Sequence, residues 1–286
     1  MRGVVSSGMV AGLEHLGLLP SFDVVYGTSA GAINGAYFVA GQAAFGSSIY
    51  YENINNSQFM SPMRVLCGDR PVSLEFLFER VMIKEKPLDW RRVVDSRIEL
   101  VPMATSLAQA RAVPLRGARS RYALFSRLMA SARIPFLAGP PVNIDGEEYL
   151  DGGLFASIPV QQALEEKCTH VLALLTRPAG AAVPRSRFLV GPLISRELAK
   201  YNPALGYPLL NRDRRYAREL YWLKIESWSP ASSPYVYAVQ EPRGTPIVRR
   251  FEKRHDLLVS GAKAGMRTIM DIFGADHSDI SFSNPL

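Results

Sequence analysis

Two short stretches carry residue types that could do chemistry. In Gly27-Thr28-Ser29-Ala30-Gly31 a serine stands among small residues, directly after the β-branched pair Val24-Val25 and before the small-residue run Ala32-Ile33-Asn34-Gly35-Ala36. A serine at such a strand-to-helix turn can serve as an exposed nucleophile, because tiny neighbours such as Gly27 and Gly31 permit the sharp backbone it needs. The N–H groups and positive dipole end of the helix that follows suit a developing oxyanion. The same pattern also fits a tight turn whose serine simply caps the helix. The second stretch is Asp151-Gly152-Gly153, an aspartate at a strand end with two glycines that allow close approach to a neighbouring loop. An Asp-Gly turn with no chemical role is the plainer reading of it.

A serine hydroxyl needs a base. Of the four histidines, His15 precedes the serine and His170 opens a strand, while His255 and His277 lie in basic or tail-like surroundings. In α/β-hydrolases the nucleophile turn follows several strands, whereas here it begins at residue 27. A histidine triad is therefore not expected. An aspartate within hydrogen-bonding reach of Ser29 could take its proton directly, provided burial lifts its pKa from the usual ~3.9.

The elements that must position these residues follow from periodicity. Val5, Met9, Leu13 and Leu16 predict a helix over about 5–18; a short strand follows at 22–26 and a helix at about 30–41. Residues 48–95 read as mainly helical. A strand is expected at 97–105, a helix at about 120–132, a strand ending at Asp151, and a helix beginning near Pro159. The apolar run in THVLALLTR is that of a strand covered on both faces. Alternating strands and helices predict a mostly parallel sheet with helices on both sides. The expected organisation is a catalytic domain over 1–180 and a helical, basic extension over 181–286 packed on it, with one more strand in YVYAVQ and a closing helical region over about 246–273.

With 286 residues, 48% hydrophobic and 21% charged, the chain can bury a proper core and is not of disordered composition. No apolar run approaches the ~20 residues of a spanning helix. The start lacks a signal-peptide pattern, so a cytoplasmic location is expected, with contact to membrane only at its surface. Two cysteines without ligand spacing predict neither disulfide framework nor metal site. The net charge of +7 is mostly arginine, concentrated at 111–133, at 211–224 and in Arg249, Arg250, Lys253 and Arg254. Such surfaces attract polyanions, but no nucleic-acid module accompanies them, and no nucleic-acid partner is expected.

Together the stretches MRGVVSSGM, GTSAG and LDGGLFASIPVQQALEEKCTHVLALLTR, with VPMATSL and ASARIPF between, resemble the patatin-like phospholipase family, most closely bacterial members, over residues 1 to about 180. The resemblance implies a three-layer α/β/α fold and hydrolysis of acyl esters of lipids without metal or cofactor. Residue by residue it implies Ser29 as nucleophile and Asp151 as base, a dyad working through an acyl-enzyme. Arg2, Gly27, Gly31, Gly152 and Gly153 are the accompanying motif positions. The family's oxyanion segment reads G-G-G-x-R-G, of which this sequence carries the part ending in Arg2-Gly3, so Gly3 and Ala30 are the donors expected here. Losing one such donor typically costs ~10²–10³ in kcat. The expectation is thus a chain that begins upstream, or a weakened or silent patatin-fold protein binding lipid, a membrane surface or a protein partner. Lipid or another acyl ester is the expected partner, with peripheral contact to anionic membrane. Arg116, Arg119 and Arg133 are candidates for a headgroup, and Phe125, Phe136 and Leu137 for an apolar lid.

Overall fold

The computed structural model describes residues 1–181, 191–206, 210–228 and 233–276. The chain opens on α1, Gly3–His15, which is buried from Gly3 to Leu13 and so is covered all round. One cover is α9, His255–Ile272, whose buried face runs through Leu258, Ala262, Met266 and Ile269 at helical spacing. Glycine makes the crossing close. A side chain at Gly8 would collide with the Ala262 carbonyl, and one at Gly265 with that of Val5.

Strand β1, Val24–Thr28, lies parallel to β2, Glu99–Ser106, in a register running from Val24 opposite Glu99 to Thr28 opposite Met103. Two antiparallel neighbours complete the contacts of β2. They are β3, Arg111–Pro114, and β5, Glu147–Asp151, with Ala104 opposite Asp151. Strand β4, Val142–Ile144, forms a hairpin with β5 through Asp145-Gly146, both at positive φ (54° and 90°), the conformation a two-residue hairpin turn requires. A second sheet pairs β6, His170–Leu174, in parallel with β7, Tyr235–Val239. The sheet expected to be mostly parallel is therefore mixed. The sequence reading missed the hairpins, although Asp145-Gly146 between two extended runs is their strongest local signal.

Helices flank this β-layer on both sides, giving a three-layer α/β/α protein. Strand β6 shows it: Leu172 and Leu174 pack into the main core, while Val171 and Ala173 pack with Val160 and Leu223 on the other face. Those two residues belong to α6, Val160–Glu165, and α8, Arg212–Trp228. The remaining helices are α2, Ala30–Val39; α3, Ala43–Ser47; α4, Trp90–Val94; α5, Arg121–Ala132; and α7, Gly191–Ala199. Residues 48–95 are indeed largely helical, including wide π-type turns at Ile49–Asn53 and Phe76–Glu85. Phe125, a lid candidate from sequence, instead packs edge-on against Phe78 and beside Trp90, in the core. Among the described residues no helix is long and apolar enough to cross a membrane.

Candidate active site

The register of the sheet decides which residues meet. Thr28, the last residue of β1, lies opposite Met103 of β2, and Asp151, the last of β5, lies opposite Ala104. Two strand ends thus converge on one point of β2, and the residues that follow them share a site.

Ser29 turns the chain from β1 into α2 at φ 56° and ψ −122°. A non-glycine residue held there stores of order 1–3 kcal/mol of strain. The surroundings hold it in place. Its N–H donates to the Ser131 hydroxyl at 3.0 Å, and that hydroxyl donates to the Met103 carbonyl at 2.7 Å. The Thr28 hydroxyl donates to the Ala156 carbonyl at 3.0 Å. A Cβ at Gly27 would stand 2.5 Å from the Ala32 backbone, because the helix doubles back over the strand. Gly31 behaves differently from expectation: a Cβ there would meet nothing within 4 Å, so its missing side chain leaves open space at the site instead of relieving a clash. The Ser29 side chain makes no capping bond to α2, which removes the reading of this serine as a helix cap.

Asp151 is buried, with 6% of its surface exposed. Its N–H donates to the Arg133 carbonyl at 2.9 Å, its carbonyl accepts from the Thr105 hydroxyl at 2.9 Å, and its Oδ1 accepts from the Gly153 N–H at 2.7 Å. The Ser29 side chain lies close enough to act on the same carboxyl as a hydrogen-bond partner. Burial pushes the Asp151 pKa above its ordinary 3.8; Arg212, the bond with Ser29, the Gly153 N–H and Arg250 pull the other way without cancelling it. A side chain at Gly152 would run into the Met103 carbonyl, so this glycine is required by contact. Gly153 abuts the Arg212 guanidinium, whose Nη2 would be 3.1 Å from an added Cβ.

The other nominated donors are brought to the same place. Gly3 opens α1, and a Cβ on it would lie 2.6 Å from that of Ala30, so the N-termini of α1 and α2 touch. Asn34 fixes this contact by donating to the Gly3 carbonyl at 2.8 Å and accepting from the Tyr50 hydroxyl at 2.9 Å. The first N–H groups of a helix have no intrahelical acceptor; here two helices offer such groups side by side. Arg2, the residue before α1, is partly buried, and its pKa is lowered to about 10 by burial and by the neighbouring Arg177, Arg250 and Arg212.

Several sequence nominations are not at the site. Arg116 is bound to Glu99 and Glu166, and the Arg133 guanidinium holds Glu75 and the Ala138 carbonyl, so neither is available to a headgroup. Arg119 is exposed. His15 and His170 are exposed and His255 stands edge-on to Tyr51; His277 lies outside the described residues. Among the described residues no cluster of three or more His, Cys, Asp or Glu could hold a metal. Sequence reasoning missed Ser131, which carries no motif, and Arg212 and Arg250, which it recorded only as members of basic patches.

Residues 1–164, more than half the chain, match the patatin-like phospholipase family, and the chain belongs to it. That family acts on lipid substrates as hydrolases. Among individual proteins, the chain is similar to the uncharacterized protein YjjU of Escherichia coli (strain K12), 26% identical over 181 residues. The alignment covers 62% of this chain and 50% of YjjU, so the chain spans about half the length of that curated relative.

Proposed function

We propose that the protein is a serine lipid acyl hydrolase in which Ser29 is the nucleophile and Asp151 the base. The observation that carries this reading is a serine held at φ 56° beside a buried carboxyl whose pKa is raised. The Asp151 carboxylate accepts the Ser29 proton as Oγ adds to the ester carbonyl. The oxyanion is met by N–H groups at the touching N-termini of α1 and α2, those of Gly3 and Ala30. Collapse breaks the ester C–O bond, and the leaving alcohol takes the proton from Asp151. Water then attacks the acyl-enzyme with Asp151 again as base, releasing the fatty acid and restoring Ser29. Labelling with a fluorophosphonate tests the nucleophile: wild type labels and Ser29→Ala does not. A folded wild-type chain that stays unlabelled overturns the hydrolase in favour of a silent, lipid-binding member of the family.

The proposed partner surface is an anionic bilayer. Segment Pro62–Cys67 holds Met63, Val65 and Leu66 at 64%, 55% and 78% exposure, a cluster of apolar side chains in water. It is anchored by the pairing of Met60 with Val72 and by Val72 N–H donating to the Leu137 carbonyl at 3.0 Å, in the loop that follows Arg133 and so adjoins Asp151. Exposed Arg70 and Lys253, the latter donating to the Met60 carbonyl at 2.8 Å, supply the complementary charge. Flotation with vesicles containing phosphatidylglycerol is expected to fall several-fold for Leu66→Ser; unchanged flotation removes this surface.

A further inference from the structure

Four guanidinium groups from four separate segments gather next to the reactive pair. Arg2 precedes α1, Arg177 follows β6, Arg212 opens α8 and Arg250 precedes α9. The Met1 ammonium donates to the Arg250 carbonyl at 2.8 Å, which sets Arg2 beside Arg250, and the Arg212 guanidinium lies against Gly153. Arg2 is disfavoured as a cation by Arg177, Arg250 and Arg212, and Arg250 by Arg212 and Arg177. Arg177 is buried and stacked over the Tyr216 ring at 5.8 Å. That tyrosine is no counter-ion, since burial raises its pKa.

The carboxylates within reach are Asp151 and Asp213, both of which favour charged Arg250, and Glu219, which lies within the field of Arg212 and is shared with Arg215 and Arg218. Among the described residues Arg2, Arg212 and Arg250 form no ion pair with any carboxylate. Holding like charges together and partly out of water is costly unless an anion completes the arrangement. Guanidinium forks match phosphate oxygens in geometry as well as in charge. Arg212 lies against Gly153, Arg212 and Arg250 both act on the Asp151 carboxyl, and Arg2 adjoins Gly3, which touches Ala30.

We propose that Arg212 and Arg250, together with Arg2, form an anion subsite that takes the phosphate of a phosphate-bearing acyl ester, making anionic lipids the preferred substrates. This rests on the hydrolase reading for what happens to the ester, but the subsite itself can be tested without turnover. The experiment is calorimetric titration of the Ser29→Ala chain with dihexanoyl phosphatidate, dihexanoylglycerol and hexanoate. Phosphatidate is expected to bind at least about ten-fold tighter than the neutral diester, and Arg212→Met or Arg250→Met to erase that advantage. Arg212→Lys, which keeps charge but loses the fork, is expected to retain part of it and covers the case in which the methionine variant does not fold. Equal affinities for the two diesters, or an advantage untouched by the arginine variants, overturns the subsite. Hexanoate binding as tightly as phosphatidate also overturns it, marking a carboxylate site for product. Fluorophosphonate labelling without phosphatidate preference defeats the subsite alone; preference without labelling defeats the hydrolase alone.

Discussion

At the end of β1 the chain stands at φ 56° and ψ −122° on Ser29, whereas at the end of β5 Asp151 sits at φ −48° and ψ 125°, angles any residue takes. Ser29 is half-buried and gripped through its backbone, by Ser131 below and by the close return of α2 over Gly27. Asp151 is buried in an unstrained backbone, and its peculiarity is electrical: a carboxyl short of water. In the proposed mechanism these are two ways of preparing a group for reaction. One stores energy in the torsion of the backbone that carries a hydroxyl; the other stores it in lost hydration so that a carboxyl becomes a better base.

Substitutions can separate the two. Ser29→Ala is expected to lower ester hydrolysis by at least about 10³-fold with little change in melting temperature, while Ser29→Gly, equally inactive, melts higher because the torsion it relieves, of order 1–3 kcal/mol, exceeds the ~0.5–1 kcal/mol of added chain entropy. A glycine variant no more stable than wild type would mean that the turn is not strained. Asp151→Asn is expected to cost about 10²–10⁴ in kcat. Its effect on stability has a definite sign. Because the folded pKa is raised, the unfolded chain loses this proton first as pH rises past 3.8, and the native state becomes progressively less stable. Asp151→Asn should therefore melt above wild type at neutral pH, with the gap closing toward pH 4 in calorimetric scans.

Two smaller effects sharpen the contrast. Gly27→Ala meets the Ala32 backbone and is expected to cost about 1–3 kcal/mol in denaturant unfolding, against under about 0.5 kcal/mol for Gly31→Ala, which meets nothing. Equal costs would show that both glycines serve the turn. The smallest expected effect is in the pH profile. Arg212 favours the Asp151 carboxylate, so Arg212→Met should move the acid limb of kcat/KM to higher pH, read on a neutral soluble ester.

Much of this site was legible from local sequence, because its chemistry depends on local backbone. Small residues around Ser29 and the glycines after Asp151 announce sharp turns, and the strand expected at 97–105 is β2, Glu99–Ser106, on which both converge. What was not legible is what arrives from far along the chain. Arg177, Arg212 and Arg250 meet Arg2 across almost the full length of the sequence, and no periodicity links such positions. Ser131 is one polar residue on an otherwise ordinary helix; only the register of β2 reveals that its hydroxyl joins Met103 to Ser29. Gly31 misled because the motif names a glycine without saying whether contact or open space requires it.

The close glycine crossing of α1 with α9 has a consequence for how the protein is made. Helix α1 finds this partner only when Ile272 has been made, at ~5–20 residues per second many seconds after His15. Until then the face of α1 that α9 buries lacks its cover. Synthesis order thus leaves a nascent chain carrying Ser29 and Asp151 for some time before the helix that opens at Gly3 is packed on every side.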